Sequence, residues 1–205
     1  MRYEPQKHRR RSIRLKGYDY SQPGGYYVTL VTQNRECLFG DVVDGKMVLN
    51  EAGRIVEWIW YDLPNHVANV KLDEFVVMPN HVHGIIMIMA NDHVGAIHEL
   101  PLHELPQHEL PQHELPQRES PQHESPLQRR NMTLPKIIGR FKMNTAKHIN
   151  KMRNSPGVPI WQRNYWEHII RDERELNRIR EYIIHNPLQW ESDDENPENK
   201  RMGNL

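Results

Sequence analysis

The segment from Val76 to Ile88 constrains the fold most, because it is apolar and β-branched except around two histidines. Such a run is typical of a buried strand. Side chains two residues apart in a strand point to the same face, so we expect His81 and His83 side by side and Val82 in the core. Two neighbouring imidazoles can bind one divalent cation and leave coordination positions open. The alternative is a pair of surface histidines at the end of a sheet.

Other patterns predict strands and helices on both sides of this segment. Predicted strands occupy residues 26–32, 42–49 (a hairpin turning at Asp44-Gly45), 70–77, 81–89 and part of 161–170. Predicted helices occupy residues 50–63, 133–152 and 172–185, the first capped by Asn50 and ended by Pro64, the last ended by Pro187. The order of elements predicts a mixed α+β domain.

Length and cysteine content indicate one intracellular domain. The chain has 205 residues and the single cysteine Cys37, which excludes an intramolecular disulfide framework. No stretch approaches the roughly 20 apolar residues of a membrane span, and the N-terminal segment is too basic for a signal peptide. We therefore expect a cytoplasmic, nucleoid-associated protein without a membrane partner.

The formal net charge is zero, but the charges are segregated. A basic flexible arm (residues 1–20) and a basic region (residues 129–182) contrast with an acidic tail (residues 191–205). This segregation favours a polyanionic partner, with nucleic acid first. The alternative is a solvated arm and a solvated helix face.

A pentapeptide repeat interrupts the predicted domain (residues 21–190). Within residues 93–130, a proline recurs every fifth residue, and three consecutive units read His-Glu-Leu-Pro-Gln. This spacing forbids a regular helix or central strand, and the low apolar content cannot offset the entropy lost on ordering. We predict a disordered surface insertion, either without function or able to bind metal weakly.

A second candidate motif lies near the end of the last predicted helix. Tyr182 and Asn186 are separated by four residues and should share a helix face. The phenol could act as a nucleophile beside a cation that Asn186 helps to bind. The alternatives are a packing tyrosine and an asparagine that only ends the helix before Pro187, with His185 as a rival third ligand.

Three blocks taken in order carry a family resemblance. They are Met78-Pro79-Asn80-His81-Val82-His83, the stretch from Ile160 to Arg171 (IWQRNYWEHIIR), and Glu181-Tyr182-Ile183-Ile184-His185-Asn186-Pro187. With Arg9-Arg10-Arg11-Ser12 and Tyr26-Tyr27-Val28-Thr29 added, the chain resembles the HUH-type single-tyrosine transposases, most closely the REP-associated branch. The resemblance covers about residues 8 to 190, with the repeat as an insertion.

The resemblance implies a ferredoxin-like antiparallel sheet with helices packed on it and the tyrosine on a C-terminal helix. It implies that His81, His83 and Asn186 bind Mg²⁺ or Mn²⁺, and that Tyr182 attacks single-stranded DNA to form a 5′-phosphotyrosine. The expected substrate is a hairpin-forming repeat, and strand transfer would constitute DNA transposition. Candidate DNA-binding residues are Arg9, Arg10, Arg11, Arg14, Lys136, Arg140, Lys142, Lys147 and Arg163. Trp161 and Trp166 are candidates either for base stacking or, more simply, for core packing.

Two other functions are compatible with these residues. One is a domesticated protein that binds DNA hairpins without productive turnover. The other is a metal-dependent nuclease that uses activated water, with Tyr182 in a structural role. The sequence leaves open the repeat, the cleavage position, the physiological metal and whether the protein is a monomer or a homodimer.

Overall fold

The computed structural model describes residues 18–90 and 133–202 of the chain. The strands within these ranges are β1 Gly24–Val31, β2 Gly40–Val43, β3 Lys46–Leu49, β4 Val70–Val77, β5 His81–Ile88 and β6 Trp166–Ile170. The helices are α1 Glu51–Tyr61, α2 Thr133–Met152, α3 Glu173–His185 and α4 Pro197–Met202, with 3-10 turns at Gln33–Arg35, Leu63–Asn65 and Asn186–Ser192. The predicted order of strands and helices is confirmed. Arg9, Arg10, Arg11 and Arg14 of the basic arm, and the predicted insertion at 93–130, lie outside the described residues.

A four-stranded antiparallel sheet in the order β4-β5-β1-β6 is the centre of the fold. Strands β1 and β5 are central, and β6 lies at one edge. This arrangement, with α1 after the β2–β3 hairpin and α2 between β5 and β6, is the α+β, ferredoxin-like architecture expected from the sequence. The described residues contain no helix long and apolar enough to cross a lipid bilayer.

The turns and caps form where their residue types favour them. Asp44 and Gly45 both have positive φ (50° and 70°), the conformation of a two-residue hairpin turn. The Asn50 side chain accepts a hydrogen bond from the Gly53 amide and starts α1, as predicted. Asp172 caps α3 in the same way, by accepting from the Glu175 amide.

One face of the sheet packs against α1 and α2 to form the main hydrophobic core. Val82 and Ile86 of β5 are buried there with Trp60 of α1 and Phe141 of α2. Gly84 leaves the space that the Trp60 indole occupies, since a Cβ at this position would lie 2.3 Å from Trp60 Cζ2. The alternation along β5 therefore turns His81 and His83 to the opposite face.

That opposite face is covered by α3. Leu176 and Ile183 of α3 are buried against Tyr27 of β1 and Ile85 of β5. Arg180 adds a paired contact to β4, donating from Nη2 and Nε to the two Asp73 carboxylate oxygens at 2.6 and 2.8 Å. Helix α3 is thus fixed above the histidine strand, and its C-terminal turn carries Tyr182 to the site.

Candidate metal and tyrosine site

The two histidines of β5 converge on one point. His81 and His83 are both buried, and their Nε2 atoms lie 3.1 Å apart. Two ligand atoms at about 2.1 Å from an octahedral Mg²⁺ and at right angles to each other are separated by about 3 Å. The pair is therefore spaced to bind one cation.

Three neighbouring side chains orient the imidazoles. Asn80 Oδ1 lies 2.8 Å from His81 Nδ1 and can accept its proton. His83 Nδ1 lies 2.7 Å from the Tyr27 hydroxyl and 2.9 Å from Thr29 Oγ1. Hydrogen bonds at Nδ1 leave the Nε2 lone pairs available, which is the usual arrangement around metal-binding histidines.

Both imidazoles are held neutral. Burial lowers the pKa of His83 well below its ordinary value, and the neighbouring His81 lowers it further. Burial also lowers the pKa of His81, although the Asp193 and Glu195 carboxylates and the Asn186 amide oppose the shift. Because a metal binds the neutral form of histidine, this environment favours coordination over protonation.

Asp193 is a site residue that sequence reasoning missed. Its Oδ2 lies 3.9 Å from His81 Nε2, and ligand atoms of His81, His83 and Asp193 all lie within 4.8 Å of one another. In the sequence, Asp193 is one of several charges in the acidic tail (residues 191–205). An ion pair of Arg35 with Glu195 and the hydrogen bond from Asn80 Nδ2 to the Glu195 carbonyl hold this segment beside the site. No local pattern distinguishes Asp193 from its acidic neighbours.

Asn186 is the third ligand that the sequence predicted. It is buried at the end of α3, and its Oδ1 has no hydrogen-bond partner in the part of the chain that the structure describes. A buried amide oxygen without a partner is costly unless something binds it, so Asn186 fits a metal ligand. The rival His185 is exposed, with Nδ1 2.8 Å from the Glu181 carbonyl, and is not among the residues brought together.

Tyr182 stands at the edge of this cluster and faces an open cavity. Its side chain is 42% exposed, its ring lies 5.3 Å from that of His83, and it lines a cavity of about 750 Å³. Burial raises the pKa of Tyr182 above its ordinary value and the Asp193 carboxylate raises it further, against hydrogen bonding from Asn186. The phenol is therefore protonated at neutral pH.

Of the predicted DNA-binding residues within the described ranges, four lie on α2 and one lies on the loop before β6. Lys136 and Lys147 are exposed and Arg140 is partly exposed on α2, which covers the other face of the sheet. Lys142 donates to the carbonyls of Gln162 and Asn164, at 2.9 and 3.0 Å, so it fixes the loop before β6. Arg163 is exposed on that loop.

The two candidate tryptophans have different environments. Trp161 is only 7% exposed, and its Nε1 donates to Thr145 Oγ1 at 2.7 Å in the main core. Trp166 is 40% exposed and lines the cavity beside Tyr182. The core-packing interpretation therefore fits Trp161 alone.

Comparisons with known proteins found related sequences and a related fold. No family model matches the chain. An uncharacterized Haemophilus influenzae protein is 41% identical over 192 residues, covering 94% of this chain and 96% of its own length. A second Haemophilus influenzae protein, provisionally named a REP-associated tyrosine transposase, is 25% identical over 171 residues, covering 83% of this chain and 74% of its own.

A solved structure shares the fold. It is a REP-associated tyrosine transposase bound to a REP hairpin, and it aligns with a TM-score of 0.51 over 86% of this chain and 73% of its own, at 14% identity. The likeness to this structure extends to the α+β architecture of an antiparallel sheet with packed helices. In sequence and in fold, the chain is therefore similar to REP-associated tyrosine transposases.

Proposed function

We propose that the protein nicks single-stranded DNA and transfers the strand through a 5′-phosphotyrosine at Tyr182. One observation carries the proposal: the exposed Tyr182 lines the same cavity as His83, one member of a buried histidine pair. Similarity to REP-associated tyrosine transposases supports a transposase-type activity. The 5′-phosphotyrosine at Tyr182 is the mechanism that we propose for that activity.

The proposed cofactor is Mg²⁺ or Mn²⁺. His81, His83 and Asn186 would bind it, and Asp193 would add an anionic oxygen ligand. Two imidazole nitrogens with two oxygens suit Mn²⁺ well and are compatible with Mg²⁺ completed by water. When bound, the ion would draw charge from the non-bridging oxygens of a phosphodiester.

The reaction needs one nucleophile and returns one alcohol. The Tyr182 phenolic oxygen forms a bond to phosphorus, and the bond from phosphorus to the 3′ oxygen breaks in line with it. The phenolic proton leaves and the departing 3′ oxygen gains one, so the products are a 5′-phosphotyrosine and a free 3′-hydroxyl. Attack by another 3′-hydroxyl reverses these steps and joins two strands.

The proposed substrate is a hairpin-forming repeat with a single-stranded flank. The solved relative is described as bound to a REP hairpin, which supports this class of DNA. The cations of α2 and the arginines Arg9, Arg10, Arg11 and Arg14 would contact the DNA backbone. A chromosomal substrate of this kind would place the protein at the nucleoid.

The test uses 5′- and 3′-labelled hairpin oligonucleotides from repeats flanking the gene. They are incubated with wild type or Tyr182→Phe, in Mn²⁺ or EDTA, and protein–DNA adducts are resolved on a denaturing gel. Tyr61→Phe is the matched control, since Tyr61 is also exposed (57%) but lies on α1, across the sheet.

We expect a metal-dependent adduct in wild type and Tyr61→Phe that is absent in Tyr182→Phe. Cleavage that survives Tyr182→Phe would assign the chemistry to activated water. Hairpin binding without cleavage on every flanking repeat would leave a DNA-binding protein without turnover, and the proposal would be wrong.

A further inference from the structure

We propose that Trp166 is a stacking platform for an unpaired nucleobase next to the phosphate that Tyr182 attacks. The inference rests on the proposed function and adds to it a binding site for one base of the single-stranded flank. The proposed ligand of the exposed Trp166 ring is a planar, uncharged heterocycle.

The sheet register places Trp166 in line with the site. His83 of β5 lies opposite Thr29 of β1, and Thr29 lies opposite Trp166 of β6. Residues paired across adjacent strands share a face, so all three side chains stand on the site face of the sheet. Strands are separated by about 4.8 Å, so Trp166 is about 10 Å from His83 along this row. A base attached to the sugar beside a phosphate at the histidines is close enough to contact the indole.

The Trp166 ring is both accessible and held in place. It is 40% exposed on β6, which is an edge strand of the sheet formed by the described residues. The Tyr27 ring meets it nearly edge-on at 5.3 Å, and the His168 ring lies parallel to it at 5.8 Å. His168 is itself anchored, because its Nε2 lies 2.8 Å from Glu175 Oε1. A preorganised aromatic ring loses little entropy when a base stacks on it.

The remaining cavity wall suits a base better than a phosphate. Gln162 and Asn164 line the cavity and carry amides that can donate to and accept from base edges. Lys142 fixes the backbone of this loop through the Gln162 and Asn164 carbonyls. Asp194 also lines the cavity, and its carboxylate would repel a phosphate placed next to it. An uncharged base therefore has favourable contacts where a backbone group has unfavourable ones.

The test measures binding apart from cleavage, in the Tyr182→Phe protein with EDTA. The probes are hairpin oligonucleotides from the flanking repeats, each with one abasic site moved along the single-stranded flank. In this background, the affinity for each probe is compared between the protein that retains Trp166 and the Trp166→Phe and Trp166→Ala variants. Trp58→Ala is the matched control, because Trp58 is 59% exposed on α1, across the sheet.

We expect one flank position at which removing the base weakens binding roughly 5- to 150-fold, the range for one stacked base. Trp166→Ala should weaken binding of the intact probe by a similar factor and should abolish the effect of the abasic site. Trp166→Phe should retain most of the affinity, and Trp58→Ala all of it. A 2-aminopurine at the same position should be quenched by the Trp166 protein and not by Trp166→Ala.

The outcomes separate this inference from the proposed function. If wild type forms the tyrosine adduct but no flank position depends on Trp166, the stacking inference is wrong and the nicking proposal stands. If the abasic effect depends on Trp166 but no adduct forms, the base site stands and the covalent step fails. If no probe binds, or if 2-aminopurine is quenched equally without Trp166, the stacking inference is overturned.

Discussion

The Tyr27 hydroxyl allows a test of the proposed metal site. Tyr27 is buried and lies 2.7 Å from His83 Nδ1, so Tyr27→Phe removes a hydrogen-bond partner without changing the ring. Loss of a partner that orients a metal-binding histidine costs about 10- to 100-fold in metal affinity. Thr29 Oγ1 still lies 2.9 Å from the same nitrogen, so we expect the single substitution near the lower limit, about 10-fold. Tyr27→Phe with Thr29→Val should approach the upper limit.

The assay is Mn²⁺ titration by calorimetry, with thermal unfolding measured with and without the ion. Tyr26→Phe is a matched control because its hydroxyl donates to the Gln22 carbonyl at 2.8 Å on the other face of the sheet. Both substitutions should lower the free energy of unfolding by about 1 kcal/mol in EDTA. Only Tyr27→Phe should weaken Mn²⁺ binding, and the weaker binding should reduce the stabilisation that Mn²⁺ provides by about 1.4 kcal/mol at saturating ion.

Two results would refute this reasoning. Equal Mn²⁺ affinities for wild type and the double substitution would mean that His83 is not a ligand, or that its Nδ1 contacts do not orient it. An equal loss in Tyr26→Phe would mean that general destabilisation, rather than the hydrogen bond at Nδ1, determines affinity.

Three further predictions concern the elements around the site. Gly84→Ala would place a Cβ 2.3 Å from Trp60 Cζ2, so we expect a loss of about 1–3 kcal/mol in urea unfolding; an unchanged midpoint would show that the indole moves freely. Arg180→Met removes the paired contact to Asp73, but these side chains are 32% and 18% exposed, so the loss should be about 1 kcal/mol or less. A much larger loss of stability would mean that the Arg180–Asp73 pair determines where α3 packs on the sheet. The site histidines have pKa values below their ordinary 6.5, so the unfolded chain binds protons that the folded protein does not. Without metal, the free energy of unfolding should have its full value above about pH 6.5 and should fall below that pH, by up to about 1.4 kcal/mol per pH unit for each histidine. Urea unfolding at a series of pH values measures this dependence. A free energy of unfolding that stays constant between about pH 7.5 and 5.5 would contradict the prediction.

The local elements were predictable because their signals lie within a few residues of one another. Asp44-Gly45 adopts positive φ wherever a hairpin needs it, and Asn50 caps a helix through its own side chain. The alternation along β5 separates Val82 from the two histidines in any fold that buries one face of the strand. For the same reason the predicted pair His81 and His83 is adjacent in the structure.

Predictions that depended on which elements meet in space were less complete. Lys142 resembles the other α2 cations in sequence, yet its ammonium contacts carbonyls of the loop before β6. Trp161 and Trp166 belong to one short block, yet one enters the core and the other lines the cavity. Burial of a side chain depends on what the tertiary structure packs over it, and no local pattern encodes that.

The sequence by itself determined the secondary structure, the face on which the histidines lie and the pairing of Tyr182 with Asn186 on one helix end. Each follows from chain periodicity or from a local hydrogen bond. The tertiary structure alone decided that Asp193 reaches His81, that Asn80 and Tyr27 orient the imidazoles, and that Trp166 stays accessible beside Tyr182. These contacts join residues from distant parts of the chain, and they exist only because sheet order and the packing of α3 bring those parts together.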